Sequence, residues 1–99
     1  MAGIEAVIRV DAVFTKDPAD KLDFRRDWST WLGDSDTIST SAFAVPAGIT
    51  KESEANGDDF ATVWLSGGTD GEDYTVTNEI ETNGGRTAQY SFLIRVRNR

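Results

Sequence analysis

The 99-residue sequence contains no cysteine and no histidine, and it has only one methionine and two prolines. Without cysteine, neither a disulfide nor a thiolate-bound metal can stabilise the chain, so the fold must rest on packing, with oligomerisation as a supplement. Without histidine, the commonest general base and the commonest ligand of transition metals are both missing. We therefore predict a protein that is not an enzyme and that uses no cofactor and no metal.

Long apolar runs are also missing. The N-terminal sequence MAGIEAVIRVDAVF has no basic stretch ahead of its apolar residues, and Glu5, Arg9 and Asp11 interrupt it. It therefore predicts neither a signal peptide nor a membrane span. At this length the chain has room for one domain.

Positive charge is scarce in the middle of the chain. Between Gly33 and Gly85, eleven acidic residues stand against Lys51, which gives a net charge of -10, whereas the two ends carry nine basic and six acidic residues. The net charge of -7 makes nucleic acid an improbable partner, because phosphate binding needs clustered lysine and arginine. The bias indicates either a solvated acidic surface or head-to-tail attraction between copies.

Alternation with a period of two is the main pattern that is present. In EDYTVTNEIET one face carries Tyr74, Val76, Asn78, Ile80 and Thr82. The run GRTAQYSFLIRVRNR alternates in the same way, and Asn83-Gly84 between the two runs predicts a tight turn in a long antiparallel hairpin. In TISTSAFAVPAG, Ile38 is out of phase with Phe43, which predicts a bulge between them. GITKESEANGDD predicts a short, charged edge strand.

The N-terminal segment has two interpretations. Apolar residues alternate from Ile4 to Phe14 as in a strand, although Ile4, Val7 and Ile8 would also share a helical face. We favour a strand, and we divide the chain into residues 1–15, an N-terminal strand or arm, and residues 16–99, the domain. About seven short strands predict an all-β fold, an immunoglobulin-like antiparallel β-sandwich, with a small barrel as the alternative.

Glycines and carboxylates raise the possibility of a ligand site. SGGTDG, residues 66–71, lacks the Lys-Ser/Thr pair of a phosphate-binding loop and predicts a turn between strands. Loop carboxylates such as Asp34, Asp58 and Asp70 could bind calcium, but no run matches the twelve-residue calcium loop. A carboxylate pair for acid-base catalysis would need a pocket that a domain of this size has little room to form.

Aromatic residues supply the best candidates for a contact surface. Trp28 and Trp31 are predicted core anchors. Val63 and Leu65 must face the core, so Trp64 and Phe60 point outward, either under another segment such as the N-terminal strand or into a patch that a partner covers. The basic run at Arg95 and Arg97 is either a solvated strand face or a contact to an acidic neighbour. We therefore predict a partner-binding set consisting of Trp64, Phe60, Ile4, Ile8, Arg95 and Arg97.

The order of motifs from Thr15 to Arg97 resembles fibronectin type III modules and, more closely, a family of small bacteriophage tail proteins described as fiber-tail adaptors. The motifs are a KDP turn, a DW..WL segment, a VPAGIT turn and the run VWLSGGT.G..YTVTN.I.T..GR.....F.IRVR. The residues that carry them are Lys16, Asp17, Pro18, Asp27, Trp28, Trp31, Leu32, Val45, Pro46, Gly48, Trp64, Gly67, Gly68, Gly71, Tyr74, Asn78, Gly84 and Arg86.

This resemblance implies a virion structural protein without chemistry, which links the tail or neck to fibers through multiple copies and protein-protein contacts. It implies synthesis in the host cytoplasm and no nucleic-acid or membrane partner. The alternative is an adhesin-like module that binds calcium or a carbohydrate through its acidic loops.

Overall fold

The computed structural model describes residues 11–98, which form two packed β-sheets. The strands are β1 (Ala12–Lys16), β2 (Lys21–Asp27), β3 (Ile38–Ala44), β4 (Ile49–Asn56), β5 (Phe60–Gly67), β6 (Asp73–Thr82) and β7 (Thr87–Val96), and a short helix α1 (Ser29–Leu32) follows β2. The strand order is β1-β7-β6-β3 in one sheet and β2-β5-β4 in the other. The predicted all-β, immunoglobulin-like sandwich is confirmed.

The inner faces of the two sheets form one hydrophobic core. Because successive side chains of a strand point to opposite sides, the buried residues of β5, β6 and β7 alternate with exposed or half-buried ones. The buried hydrophobic residues are Phe24, Trp28, Leu32, Ile38, Phe43, Ile49, Ala61, Val63, Leu65, Tyr74, Val76, Ile80, Phe92, Ile94 and Val96. The period-two pattern of the sequence therefore gave the correct inner face for the three long strands.

Strand β1 departs from the antiparallel arrangement that we predicted for the whole sandwich. It runs parallel to β7, from Ala12 opposite Phe92 to Lys16 opposite Val96, whereas the other neighbouring strands pair antiparallel. A parallel pair needs a long connection, and here almost the whole domain lies between the two strands. The part of the predicted N-terminal strand before Asp11 lies outside the described residues, so the division at residue 15 stays a prediction.

Lys16 ends β1 with a buried side chain, although lysine is rarely buried without a partner. Its Nζ donates to the carbonyl oxygen of Gly67 at 2.5 Å and to that of Asp17 at 3.0 Å. Burial lowers the pKa of the amine, while Asp20 and Asp17 partly oppose the shift. Lys16 thus ties the turn after β1 to the end of β5, which explains its place in the KDP motif.

The β6–β7 hairpin is present, but its turn corrects our prediction. We expected Asn83 and Gly84 to form a two-residue turn. Instead Thr82 N donates to Arg86 O, and the positive φ of 88° belongs to Gly85. The Asp36 carboxylate accepts the Gly84 backbone N–H at 2.8 Å and binds the Arg86 side chain, so this contact with the preceding loop holds a wider turn.

The two strands at the β3–β4 side of the molecule both contain irregularities. The β3–β6 register shifts between Ile38 and Thr40, which confirms the predicted bulge. Strand β4 is charged and lies at a sheet edge as predicted, but it is eight residues long rather than short. Its register with β5 shifts between Lys51 and Ser53.

Candidate functional site

Trp64 lies on the outer face of the three-stranded sheet, on its central strand β5. Its neighbours Val63 and Leu65 are fully buried in the core, whereas Trp64 itself is 39% exposed. An indole at this level of exposure leaves a large apolar area in contact with water. The structure thus places Trp64 outward, as the sequence pattern predicts.

The residues around Trp64 are polar, and they are exposed or half-buried. The cross-strand partners of Trp64 are Asp23 on β2 and Ser53 on β4, and both share its face of the sheet. Thr62 and Ser66 flank it along β5. We call this surface, composed of Trp64, Asp23, Ser53, Thr62 and Ser66, the Trp64 face. A single aromatic residue inside a polar rim is the usual composition of an interface hot spot.

The bulge in β4 adds a carboxylate to this rim. Because the register shifts between Lys51 and Ser53, Glu52 has no partner of its own on β5. Its Oε2 accepts a hydrogen bond from Ser66 Oγ. The bulge therefore directs a negative charge toward the Trp64 face, and the rim carries carboxylates on both sides, Asp23 and Glu52.

Phe60, the second predicted contact residue, is at the far end of β5 and is only half-buried. The guanidinium of Arg25 lies over its ring, 4.0 Å from the ring centroid. A cation over an aromatic ring in this geometry is attracted to the π-face. Arg25 therefore covers part of the surface that we predicted for a partner, and Trp64 is the more accessible of the two.

Arg95 and Arg97 lie on β7 and just after it, in the other sheet, so the structure does not bring them together with Trp64. Both face Asp73: Arg97 Nη2 is 3.0 Å and Arg95 Nε is 3.8 Å from its Oδ1. Arg97 also donates to the carbonyl oxygens of Glu72 and Val96. Ile4 and Ile8 lie outside the described residues.

Trp28 is buried as predicted, whereas Trp31 is 38% exposed. The Trp31 ring meets Trp28 edge-on at 5.4 Å, and the guanidinium of Arg86 lies 4.2 Å from its centroid. Arg86 also forms an ion pair with Asp36 at 2.9 Å. The exposed face of Trp31 is therefore partly covered by a cation, and the prediction that it is a core anchor is only partly correct.

The acidic loops do not converge. Within residues 11–98 no group of three or more His, Cys, Asp or Glu side chains is arranged to hold a metal ion. Asp36 instead has a structural role: chiefly a hydrogen bond from the Thr82 side chain, together with the Gly84 N–H and Arg86, lowers its pKa to about 2. The Asp36 carboxylate therefore joins the loop before β3 to the β6–β7 turn.

The described surface is shallow. No concave pocket is present on residues 11–98, and no helix in that part of the chain is long and apolar enough to span a membrane. Sites for small molecules are usually concave, whereas the Trp64 face is part of an open sheet. Its shape suits contact with a macromolecule.

Comparison with known proteins gives a family and a fold. The family model "Podophage GP4 fiber-tail adaptor protein gp77" matches residues 16–95. A solved structure described as the PKD domain from KIAA 1837 protein is similar to this chain with a TM-score of 0.54 and 20% identity, covering 91% of this chain and 82% of that one. At this identity the likeness supports the fold alone. No curated protein matches.

Proposed function

The chain belongs to the podophage fiber-tail adaptor family, and from that premise we propose that it joins a neighbouring tail or fiber protein through the Trp64 face. Membership makes it a structural protein of the virion tail that interacts with tail and fiber proteins. The observation that carries the proposal is the outward Trp64 on the central strand of an open sheet.

Trp64 has the properties of an interface anchor. It is held on a strand whose alternate residues Ala61, Val63 and Leu65 are buried in the core, so little conformational entropy is lost when a partner covers it. Asp23 and Ser53 at its sides would exclude water from the contact while keeping the free protein soluble. Truncation of a central aromatic hot spot typically costs about 2 kcal/mol or more of binding free energy.

The remaining predicted contacts complete the proposal. Arg95 and Arg97 would meet an acidic partner at the end of the other sheet, after exchanging part of their interaction with Asp73. Ile4 and Ile8 would contact a neighbour from the N-terminal segment. We further propose that the protein acts in multiple copies in the tail or neck, has no catalytic activity, contacts neither nucleic acid nor membrane, and is made in the host cytoplasm.

The test is incorporation into phage particles. We expect Trp64→Ala to fold with a melting temperature close to that of the wild type but to bind its tail partner roughly 30-fold more weakly, and so to be depleted from assembled particles. Val13→Ala is the matched control, because Val13 is 56% exposed on the other sheet. Normal incorporation of a folded Trp64→Ala protein would remove the Trp64 face from the proposal.

A second candidate, an adhesin-like module for carbohydrate, has one observation in its favour. An exposed indole flanked by the Asp23 carboxylate and the Ser53 hydroxyl offers an apolar surface beside hydrogen-bonding groups. Glycan binding that Trp64→Ala abolishes, in a protein that still assembles into particles, would favour it. Calorimetric titration with calcium tests the metal form of this candidate, and the adaptor proposal expects no heat of binding.

A further inference from the structure

Within residues 11–98, strand β2 lies at an edge of the three-stranded sheet, and its charges follow a regular order. Its outer face carries Lys21, Asp23, Arg25 and Asp27 in succession, all exposed, so the charges alternate in sign along one edge of the three-stranded sheet. Charged side chains commonly protect edge strands, and like charges placed opposite each other repel a second copy of the same strand. A series of alternating signs does not repel its own reversed copy.

The backbone of these same four residues points toward the free edge. Trp28 N donates to Asp59 O at 2.8 Å, which continues the ladder in which Asp27 is opposite Phe60. In an antiparallel pair, the residues of one strand direct their N–H and C=O alternately to one neighbour and to the other. Trp28 and the even-numbered residues therefore bond to β5, and the four charged residues present their backbone groups outward. The β2–β5 register has no shift along its length.

We propose that a second copy of this chain pairs with β2 through β2 itself, antiparallel and with Phe24 opposite Phe24. In this register Lys21 lies opposite Asp27 of the second copy, and Asp23 lies opposite its Arg25, so all four cross-strand pairs join opposite charges. The residues in these pairs are those whose backbone groups face outward, so they form the hydrogen-bonded pairs of the new ladder.

The charges also select this register over its neighbours. A shift of two residues in one direction places Asp23 opposite Asp23 and Lys21 opposite Arg25, and a shift in the other direction places Arg25 opposite Arg25 and Asp23 opposite Asp27. Like charges directly opposite each other are destabilising. Sign alternation and backbone direction, which are independent observations, thus point to the same arrangement.

The side-chain contacts already present leave room for this pairing. Arg25 lies over the Phe60 ring, and Asp27 Oδ1 accepts the Ser29 N–H at 2.9 Å. A guanidinium has five N–H donors and a carboxylate two oxygens, so each can make a cross-strand contact and keep its present one. Phe14, which is 38% exposed and lies 5.4 Å from the Phe24 ring, would be covered further by the second copy.

Another sheet edge in the described part of the chain is obstructed by its own side chains. At the β3 edge, Glu54 Oε1 accepts the Phe43 N–H at 2.9 Å, and Lys51 Nζ donates to the Phe43 carbonyl at 3.1 Å. Lys51 and Glu54 form an ion pair at 3.0 Å, so together they occupy the positions of an added strand. The β4 edge is bulged and charged. Strand β2 has a regular ladder with β5, and no hydrogen bond among the described residues caps its outer edge in this way.

Pairing through β2 does not depend on the Trp64 face, but it would determine how two copies of that face are arranged. The two-fold axis of the β2 pair is perpendicular to the joined sheet, so both copies of Trp64 lie on the same side of one six-stranded sheet. A partner that has two sites for Trp64 could then contact both copies. Once the first contact has formed, the second forms within the same complex and so at a higher effective concentration.

Sedimentation of the full chain over a concentration series tests the proposal, with two charge variants. In Asp23→Arg the pairs between positions 23 and 25 become two arginine pairs, and in Arg25→Asp they become two aspartate pairs. We expect each variant alone to dimerise at least about tenfold more weakly than the wild type. In an equimolar mixture the arginines of one variant face the aspartates of the other, so we expect a heterodimer of wild-type affinity.

Three further samples make the result decisive. Glu79→Arg applies the same change in charge to an exposed residue of the other sheet, and we expect it to leave dimerisation unchanged. Trp64→Ala should also dimerise normally, whatever its effect on assembly. A wild-type monomer at all concentrations, no recovery in the mixture, or equal loss in Glu79→Arg would each overturn the proposal. So would a variant starting at Asp11 that dimerises when the full chain does not, because residues 1–10 would then occupy the edge.

Discussion

Asn78 connects the two sheets inside the core, and its replacement by alanine should be one of the most damaging single changes. Its side chain is fully buried. The Oδ1 atom accepts a hydrogen bond from Trp28 Nε1 at 2.9 Å, and Nδ2 donates to Ser41 Oγ at 2.9 Å and to Ala42 O at 3.1 Å. One amide thereby links the end of β2 to β6 and to the edge strand β3.

The expected loss of stability in Asn78→Ala can be worked out from these hydrogen-bond partners. In Asn78→Ala the buried Trp28 N–H loses its acceptor, which costs about 1–3 kcal/mol, and the bonds to Ser41 and Ala42 each contribute about 1 kcal/mol. We therefore expect the free energy of unfolding to fall by about 3–5 kcal/mol, a large fraction of the roughly 5–15 kcal/mol that stabilises a domain.

Urea denaturation of wild type, Asn78→Ala, Trp28→Phe and the double variant measures this loss and the coupling of the pair. The double variant should lose less than the sum of the single ones, because Trp28→Phe removes the donor that Asn78→Ala leaves unpaired. Asn83→Ala is the control: its exposed amide donates to Thr37 Oγ1 at 2.7 Å, and its loss should cost about 0.5 kcal/mol or less. A cost below about 1 kcal/mol for Asn78→Ala would refute the reasoning.

Two further predictions concern the loops. Gly68 and Gly71 have φ values of 95° and 93°, but a Cβ at Gly68 would lie 2.7 Å from Val96 Cγ2, whereas one at Gly71 meets nothing within 4 Å. Both alanine variants should lose about 1–2 kcal/mol through backbone strain, and Gly68→Ala about 1–3 kcal/mol more, so equal melting temperatures would contradict the close contact. The pKa of Asp36 is lowered from 3.8 to about 2, so its contribution is complete above the unfolded-state pKa and is lost as the pH falls through the folded one. The stability advantage of the wild type over Asp36→Asn should thus be constant near neutral pH and shrink between pH 4 and 2, and an unchanged advantage at pH 2 would argue against this role.

The strand faces could be predicted from the sequence because alternation is a local property. Tyr74, Val76 and Ile80 face the core in β6, and Trp64 faces outward in β5, because each strand has a period of two. The β3 bulge could be predicted for the same reason, since Ile38 breaks the period ahead of Phe43. These features depend on residues close together in the sequence.

Pairing between distant segments could not be predicted in this way. The parallel alignment of β1 with β7 joins residues 80 positions apart, as in Ala12 with Phe92. The burial of Lys16 depends on the Gly67 carbonyl, and the turn at Gly85 depends on Asp36 from another loop. In each case the conformation of a residue depends on a partner that is distant in the sequence. The pattern of neighbouring residues does not identify that partner.

The basic run near the C-terminus has a different meaning once the pairing of the strands is known. In the sequence, Arg95 and Arg97 are a basic run available to an acidic neighbour, but the hairpin register places Asp73 opposite Arg95 and neutralises part of that charge within the chain. Attraction between copies is therefore best sought where opposite charges lie along an edge that no other strand of residues 11–98 faces. Strand β2 meets this condition, because the four charges of its outer face alternate along the free edge of the three-stranded sheet. The net charge of the chain opposes association in general, so an arrangement of opposite pairs at one edge would also determine which surface associates.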